Sequence, residues 1–357
     1  MTSRPLIILS AILIYFCCLF VRPLFSLATL DPKSVQKIRV NTMSGAEYFG
    51  SSISSSDDTV IIGSPGGNKA FSFAYVFTRD DNFCWHQQAT LAPADPLVYD
   101  FFGNDVSLSD ETVAVGADRD VYIFVRSGTS WSQQEKIIFN HWIYNVSLSS
   151  DTLAVYAEAV YIFVRSGTSW NQQENLNIPE GYVSLSGDTL AVANNANNAV
   201  YIFVRSGTSW SQQAKLSIPA SNGNVSLSGD TVAVGTDNAV YIFVRSGTSW
   251  SQQAKLIIPD TRWIRDLSLS GDTVAVDAGD AVYIFVRSGT SWGQQTKLPV
   301  HSKRYISSIS TSEKAVFSTG DEYPLSIEDF LYVYSDDVCK RKNALPAIII
   351  QLLNSNQ

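Results

Sequence analysis

The groups in this chain that could do chemistry are few, and they are repeated rather than gathered. The three histidines, His86, His141 and His301, fall in separate stretches. No His-Glu-x-x-His, Cys-x-x-Cys, Gly-x-Ser-x-Gly or phosphate-cradling glycine loop occurs. Acids recur at Asp58, Glu111, Asp151, Asp188, Asp230, Asp272 and Glu313, and arginines at Arg79, Arg126, Arg165, Arg205, Arg245 and Arg287. A ring of acids would suit a cation. A turn acid beside a cross-strand Arg is the plainer reading, worth about 0.2–1 kcal/mol per pair, and the Arg repeats with the acid. The hydroxyls of Ser-Gly-Thr-Ser occur in five identical copies, which fits a turn better than a nucleophile needed only once. No catalytic residue, metal or cofactor is implied.

The elements that carry these groups are set by repetition. "VYIFVRSGTSW" begins at Val121, Val160, Val200, Val240 and Val282. Its tyrosine defines a wider series, Tyr75, Tyr122, Tyr161, Tyr201, Tyr241, Tyr283 and Tyr332, spaced by 47, 39, 40, 40, 42 and 49 residues. Within the unit Asn224 to Leu256, turn signals separate four runs: Val225–Leu227, Thr231–Val234, Val240–Arg245 and Trp250–Leu256. The third run is apolar on both faces and so needs a layer on each side. The fourth carries polar positions, as an outer edge should. Seven such four-stranded units stacked around an axis satisfy both demands, which predicts an all-β, seven-bladed β-propeller. The seventh unit supplies only three strands (Ile306–Ser310, Ala315–Ser318, Leu331–Ser335). "VQKIRV" (Val35–Val40) matches the end of the fourth strand and is expected to complete it, closing the ring.

"YFGSSISSSDDTVIIGSP" (Tyr48–Pro65) and "FFGNDVSLSDETVAVGAD" (Phe101–Asp118) resemble the FG-GAP repeat, the blade of the integrin α-chain propeller. The resemblance covers about residues 35–338. Its Phe-Gly pair survives as Phe49-Gly50 and Phe102-Gly103, and its Gly-Ala-Pro element as Gly63-Ser64-Pro65 and Gly116-Ala117-Asp118. It implies a seven-bladed propeller with roles in extracellular binding and adhesion. The Asp-x-Asp-x-Asp-Gly calcium loop of integrin blades is replaced here by Ser-Gly-Asp or Ser-Ser-Asp, short of the six to eight oxygens that Ca²⁺ takes. Calcium binding is therefore not implied.

A net charge of −8 without a basic run argues against nucleic acid as a partner. Residues 1–28 read as a signal peptide cleaved after Ala28, or as a signal anchor if retained, and 339–357 as a C-terminal tail. A secreted or cell-surface location follows, with membrane attachment only through an uncleaved anchor. Cys84 and Cys339 fall in adjacent blades once the ring closes. Either they form a disulfide stapling the seam, or they stay as thiols beyond the ~7 Å Cα limit for bridging. Asn145 and Asn224 open Asn-Val-Ser sequons.

Six of eight tryptophans open the fourth strand as packing plates. The exceptions, Trp142 and Trp263, lie in the connections from the fourth strand to the next first strand, which differ from unit to unit: "FNHWIYN", "PEGY", "PASNGN", "PDTRWIRD", "PVHSKRY". Trp142, Tyr144, Arg262, Trp263, Arg265, Lys303, Arg304 and Tyr305 give that face an aromatic and cationic character favoured in binding hot spots. Each Trp is either a ligand contact or a plug folded into the core. The leading expectation is a non-enzymatic module binding a protein or glycan. A carbohydrate-active enzyme would need converging acids, where the loops offer isolated ones (Asp95, Asp100, Glu158, Asp277, Asp280). A structural surface protein without a ligand is the third reading.

Overall fold

The computed structural model describes residues 35–40, 48–66, 71–95, 100–178, 181–219, 221–259, 261, 263–279, 281–299, 308–312, 315–321, 329–335 and 339. Seven four-stranded antiparallel sheets account for every strand among them. The blades span 53–91, 105–138, 145–175, 182–217, 221–257, 266–299 and 309–334, the last joined by Val35–Arg39. We letter the strands A to D from the centre outward. In blade 3 these are Asn145–Ser149, Thr152–Tyr156, Val160–Ser166 and Ser169–Asn175. Each A strand lies beside those of both neighbouring blades, and the A strand of blade 7 lies beside that of blade 1, so the ring is closed.

Burial follows the pattern that two-sided packing demands. In strands A of blades 2, 3 and 6, buried Val or Leu alternates with half-buried residues, mostly Ser. Strands B are buried throughout, and strands C at their first positions. Strands D are exposed or half-buried at most positions, as an outer edge is. The first strand of blade 5 starts early, at Ser221, through an irregularity between Ser221 and Val225.

The eleven-residue motif is identical from blade to blade because its side chains reach the previous blade. The indole N–H groups of Trp131, Trp170, Trp210, Trp250 and Trp292 donate to Gln88, Gln134, Gln173, Gln213 and Gln253, at 2.8–3.4 Å. Arg205 donates to Asp188 in its own blade at 2.6 Å and to the Thr152 hydroxyl of the preceding blade at 3.1 Å. Arg126, Arg245 and Arg287 repeat that double contact with Glu111, Asp230 and Asp272 and with Thr59, Thr189 and Thr231. Arg165 differs, turning its Nε to the Gly167 carbonyl. The recurrent acid is thus an Arg partner at six described blades, Asp58 with Arg79 and, more loosely at 3.8 Å, Asp151 with Arg165 among them. Glu313 lies outside the described residues.

The inner ring is sewn by serine. Backbone N–H groups of Leu108, Leu148, Leu185, Leu227, Leu269 and Thr311 donate to hydroxyls of Ser54, Ser107, Ser147, Ser184, Ser226 and Ser268 in the preceding blade, at 2.8–3.0 Å. Between blades 7 and 1 the junction uses Ser55 with Ser310 at 2.8 Å and Ile53 N–H to Ser308 at 3.3 Å. Spacing alone does not reveal these bonds, which explain why a hydroxyl-bearing residue rather than Ala alternates in strands A.

Closure occurs as the sequence predicts. Val35–Arg39 pairs antiparallel with Asp329–Tyr334, from Val35 opposite Tyr334 to Arg39 opposite Phe330. The other strands of blade 7 are Ile309–Thr311 and Val316–Asp321, within a few residues of expectation. Gln36 exchanges two bonds with the Trp85 backbone in blade 1, both 3.3 Å. Trp85 meets Phe317 of blade 7 edge-on at 5.0 Å. Cys84 and Cys339 are disulfide-bonded across this seam, with Cα atoms 4.5 Å apart.

Two outcomes follow. A Cys84→Ser/Cys339→Ser chain should lose up to about 5 kcal/mol of stability in urea titration, the chain-entropy value for so long a loop; an unchanged midpoint would show that the pairing of Val35–Arg39 closes the ring alone. Ser147→Ala strands the Leu185 N–H and should cost about 1–3 kcal/mol, where Ser169→Ala, at an exposed turn, should cost almost nothing.

Candidate binding face

Antiparallel order places the D-to-A connections and the B-to-C turns on one face. Three or four residues before strand A, blades 1 and 2 carry Phe49-Gly50 and Phe102-Gly103, with both rings buried. The glycines adopt φ +88° and +90° and press on the neighbouring blade: a Cβ would strike Thr319 at Gly50, and at Gly103 the Phe73 carbonyl, 2.6 Å away. Only glycine meets both demands. At the same offset blades 3 and 6 carry Trp142-Ile143 and Trp263-Ile264. Here the second residue turns inward, Ile143 at 0% exposure and Ile264 at 3%, and the Trp is released. Trp263 is 57% exposed, so it is no core plug. Trp142 is half-buried, leaning on Phe101 with centroids 5.2 Å apart.

Tyr144 is 49% exposed and stacks on Tyr156 at 5.2 Å with an interplanar angle of 29°. Arg265 runs over Gly279 of its own blade's B-to-C turn, its backbone N–H bound to the Asp277 carbonyl. Trp142 and Tyr144 in blade 3 and Trp263 and Arg265 in blade 6 thus occupy separate parts of the face rather than one pocket. Arg262, Lys303, Arg304 and Tyr305 lie outside the described residues. Sequence reasoning missed Tyr48, Phe71 and Tyr182, which are 69%, 52% and 44% exposed on this same face. Tyr182 was legible: it replaces the Asp or Asn that opens strand A in blades 2, 3, 5 and 6.

Those opening residues form a polar collar. Asp105 accepts from the Ser52 hydroxyl of blade 1 at 2.7 Å and from the Asn145 amide and Val146 N–H of blade 3 at 2.8 and 2.6 Å. Asn145 accepts in turn from Val183 N–H at 2.7 Å. Asn224 donates to the carbonyls of Ile264 and Arg265 at 3.2 and 3.0 Å. Both sequon amides therefore work as blade-to-blade clasps, using the nitrogen that a glycan would need. Asp266 accepts from Ser308 and Ile309 of blade 7 at 2.8 and 2.9 Å. Desolvation pushes the Asp105 carboxyl up to about 6, against the opposing pull of its hydrogen bonds, and raises Asp266 as well.

The acids of the face hold local contacts. Asp95 pairs with Lys136 at 3.0 Å and Glu158 with His141 at 3.0 Å. Asp100 is buried and receives Phe102 N–H at 3.2 Å, and Asp277 receives Gly279 N–H at 2.7 Å. Asp280 is outside the described residues. Among the described residues no three His, Cys, Asp or Glu gather as a metal site. On the opposite face a polar cavity of about 440 Å³ between blades 1 and 2 is lined by Asp58, Arg79, His86, Glu111 and Arg126. No described helix is long and apolar enough to cross a membrane.

Seven four-stranded blades closed on themselves define a β-propeller. The FG-GAP repeat family matches residues 85–129, which carry Phe102-Gly103 and Gly116-Ala117, so this stretch of the propeller is similar to an FG-GAP repeat. No curated protein matches it in sequence. Solved structures share the fold at low identity. A chain of the mitotic checkpoint complex has a TM-score of 0.61 at 12% identity, covering 86% of this chain and 96% of that one. YCF48 bound to D1 peptide gives 0.56 at 16%, covering 87% and 100%. Hsv2 of Kluyvelomyces marxianus gives 0.55 at 13%, covering 80% and 97%.

The collar makes stability depend on pH in a direction opposite to most carboxylates. Below about pH 4 Asp105 is protonated both folded and unfolded. As pH rises toward 6 the unfolded chain loses its proton first, so stability falls by about 3 kcal/mol over that window and is level above it. Asp105→Asn should remove its share of this descending segment, leaving that of Asp266, when unfolding is followed from pH 4 to 7, and an identical profile for parent and variant would refute the assignment.

Proposed function

We propose that this protein is a non-enzymatic binding module, secreted or displayed at a cell surface, that meets a protein or glycan through its D-to-A and B-to-C loops. The propeller with its FG-GAP repeat is the build of a binding or scaffold module. One observation carries the finer reading. Within a single repeated unit, the exposed Ser-Gly-Thr-Ser hairpin is the same in blades 2 to 6, whereas the equally exposed loops of the other face differ in every blade. Duplication alone would have left both faces alike. Constant framework with varied loops is the division of labour found in binding proteins built on rigid scaffolds. The exposed aromatics Tyr48, Phe71, Tyr144, Tyr182 and Trp263 all lie on the varied face, where rigid rings give contact area at low entropic cost. The solved YCF48 propeller holds a D1 peptide, a precedent for a peptide ligand on this fold. The apolar N-terminal stretch and the Cys84–Cys339 disulfide favour an oxidising compartment.

Tyr144→Ala combined with Trp263→Ala should weaken binding of a partner recovered with the parent chain at least about thirtyfold, on the scale of a hot-spot loss of ~2 kcal/mol. Thr168→Ala with Thr208→Ala and Thr248→Ala, on the constant hairpins, should bind like the parent. Equal binding by both variants would overturn the assignment of the face.

A further inference from the structure

The varied face carries one continuous aromatic ledge, and its chemistry narrows the ligand. Tyr144 and Tyr156 of blade 3 stack at 5.2 Å, and Tyr156 meets Tyr182 of blade 4 at 6.0 Å. Tyr156 is the buried floor of the row, with Tyr144 and Tyr182 exposed on either side. The row continues onto blade 5 at Gly223. A Cβ there would stand 2.8 Å from the Tyr182 ring and 3.1 Å from the Asn195 amide nitrogen. Gly223, at φ +91°, therefore lets an aromatic ring and an amide lie side by side.

The neighbouring turn of blade 4 adds Asn195, Asn197 and Asn198, all exposed. It is fixed rather than slack: Asn197 N–H donates to Asn194 at 2.9 Å, and the Asn198 carbonyl accepts from Ile218 N–H at 3.0 Å. An amide side chain both donates and accepts, as a sugar hydroxyl does, and an exposed ring face takes up the C–H side of a pyranose. The described residues of the connections of blades 3, 4 and 5 on this face (139–144, 157–159, 176–178, 181, 195–198, 218–219, 221–224, 237–238) hold no Lys or Arg, while Glu158 and Asp237 are acidic. The nearest cations flank the row rather than lie in it: Arg119 in the blade 2 turn, paired with Asp118 at 3.9 Å, and Arg265 over Gly279 in blade 6, so an anionic ligand seated on the rings has no counter-charge beneath it. A stable protein partner needs about 800 Å² of each surface, more than two exposed rings and their amides supply.

We propose that the ledge Tyr144–Tyr156–Tyr182, with the Asn195 turn beside it, is a binding site for a neutral oligosaccharide. The inference rests on the reading of this face as the binding face and specifies its ligand. The test uses the full chain on an array of neutral mannose-, galactose- and N-acetylglucosamine-based oligosaccharides beside sialylated and sulfated ones, followed by titration of the strongest neutral binder. Capture of neutral members is expected, with Tyr182→Ala and Tyr144→Ala each weakening it at least tenfold. Tyr182→Phe, which keeps the ring, should stay within threefold, and Thr208→Ala, on the exposed constant hairpin of blade 4, should be silent. No neutral capture, preference for the acidic members, or equal binding by Tyr182→Ala would each overturn the proposal. If a protein partner is still lost in the Tyr144→Ala, Trp263→Ala chain while no oligosaccharide binds, the ledge assignment falls and the face assignment stands; if that partner is also retained, both fall.

Discussion

A backbone N–H on the inner strand of one blade finds its acceptor on a serine of the blade before. This debt, passed from neighbour to neighbour, can be settled only in a ring. The same offset governs the outer layers, where Trp210 reaches Gln173 and Arg205 reaches Thr152. Each unit therefore carries both halves of a joint and is incomplete alone, the condition under which repeated sequence is structurally useful. Buried polar groups without partners are costly, so an open arc would expose one set of donors and one set of acceptors at its ends.

Much of this was legible in the sequence, for reasons that differ by layer. Strand C of each blade is apolar on both faces, and only stacked sheets bury such a strand twice; that alone leads to the propeller. "VQKIRV" could be placed because it matches the end of a known strand D and a D strand was missing. The inner serines gave no such lead, since alternation of Ser with Val and Leu reads equally well as a half-solvated strand. The loop face was legible in composition but not in direction. Trp142 and Trp263 sit where Phe49 and Phe102 point into the core, and only the Ile that follows them, by filling that space itself, turns the Trp outward. Whether a ring faces in or out was thus decided one residue downstream. Tyr182 was overlooked because it lies inside a strand rather than in a loop, at a position whose counterparts are polar clasps.

The two faces have become different kinds of surface under one constraint. Strand geometry fixes where the connections emerge, but a D-to-A connection need only span from rim to axis, and its length and residues are otherwise free. The C-to-D hairpin is tighter: Gly167, Gly207 and Gly247 adopt φ of +63° to +65°, which an L side chain rarely takes. Beneath the loops run the collar bonds of Asp105, Asn145 and Asp266, which hold the starts of the A strands of blades 3, 4 and 7 and give the varied loops a fixed base.

Identical parts raise a problem of counting. During folding, the tryptophan of blade 4 cannot tell the glutamine of blade 3 from that of blade 5, or from the same residue on another molecule. The repeated motif of blades 2 to 6 does not distinguish a correct neighbour from one a repeat away, which leaves that task to the few junction-specific contacts such as Asp105 with Asn145, and slipped or exchanged pairings are a known hazard of repeat proteins. The marks of identity lie at the ends: Cys84 in the first blade, Cys339 after the last, and a lone outer strand from the N-terminal side. Cys84 and Cys339 meet only when all seven blades stand between them in order, so the covalent bond acts as an address label, recording that the ring was assembled from one chain and with no blade skipped.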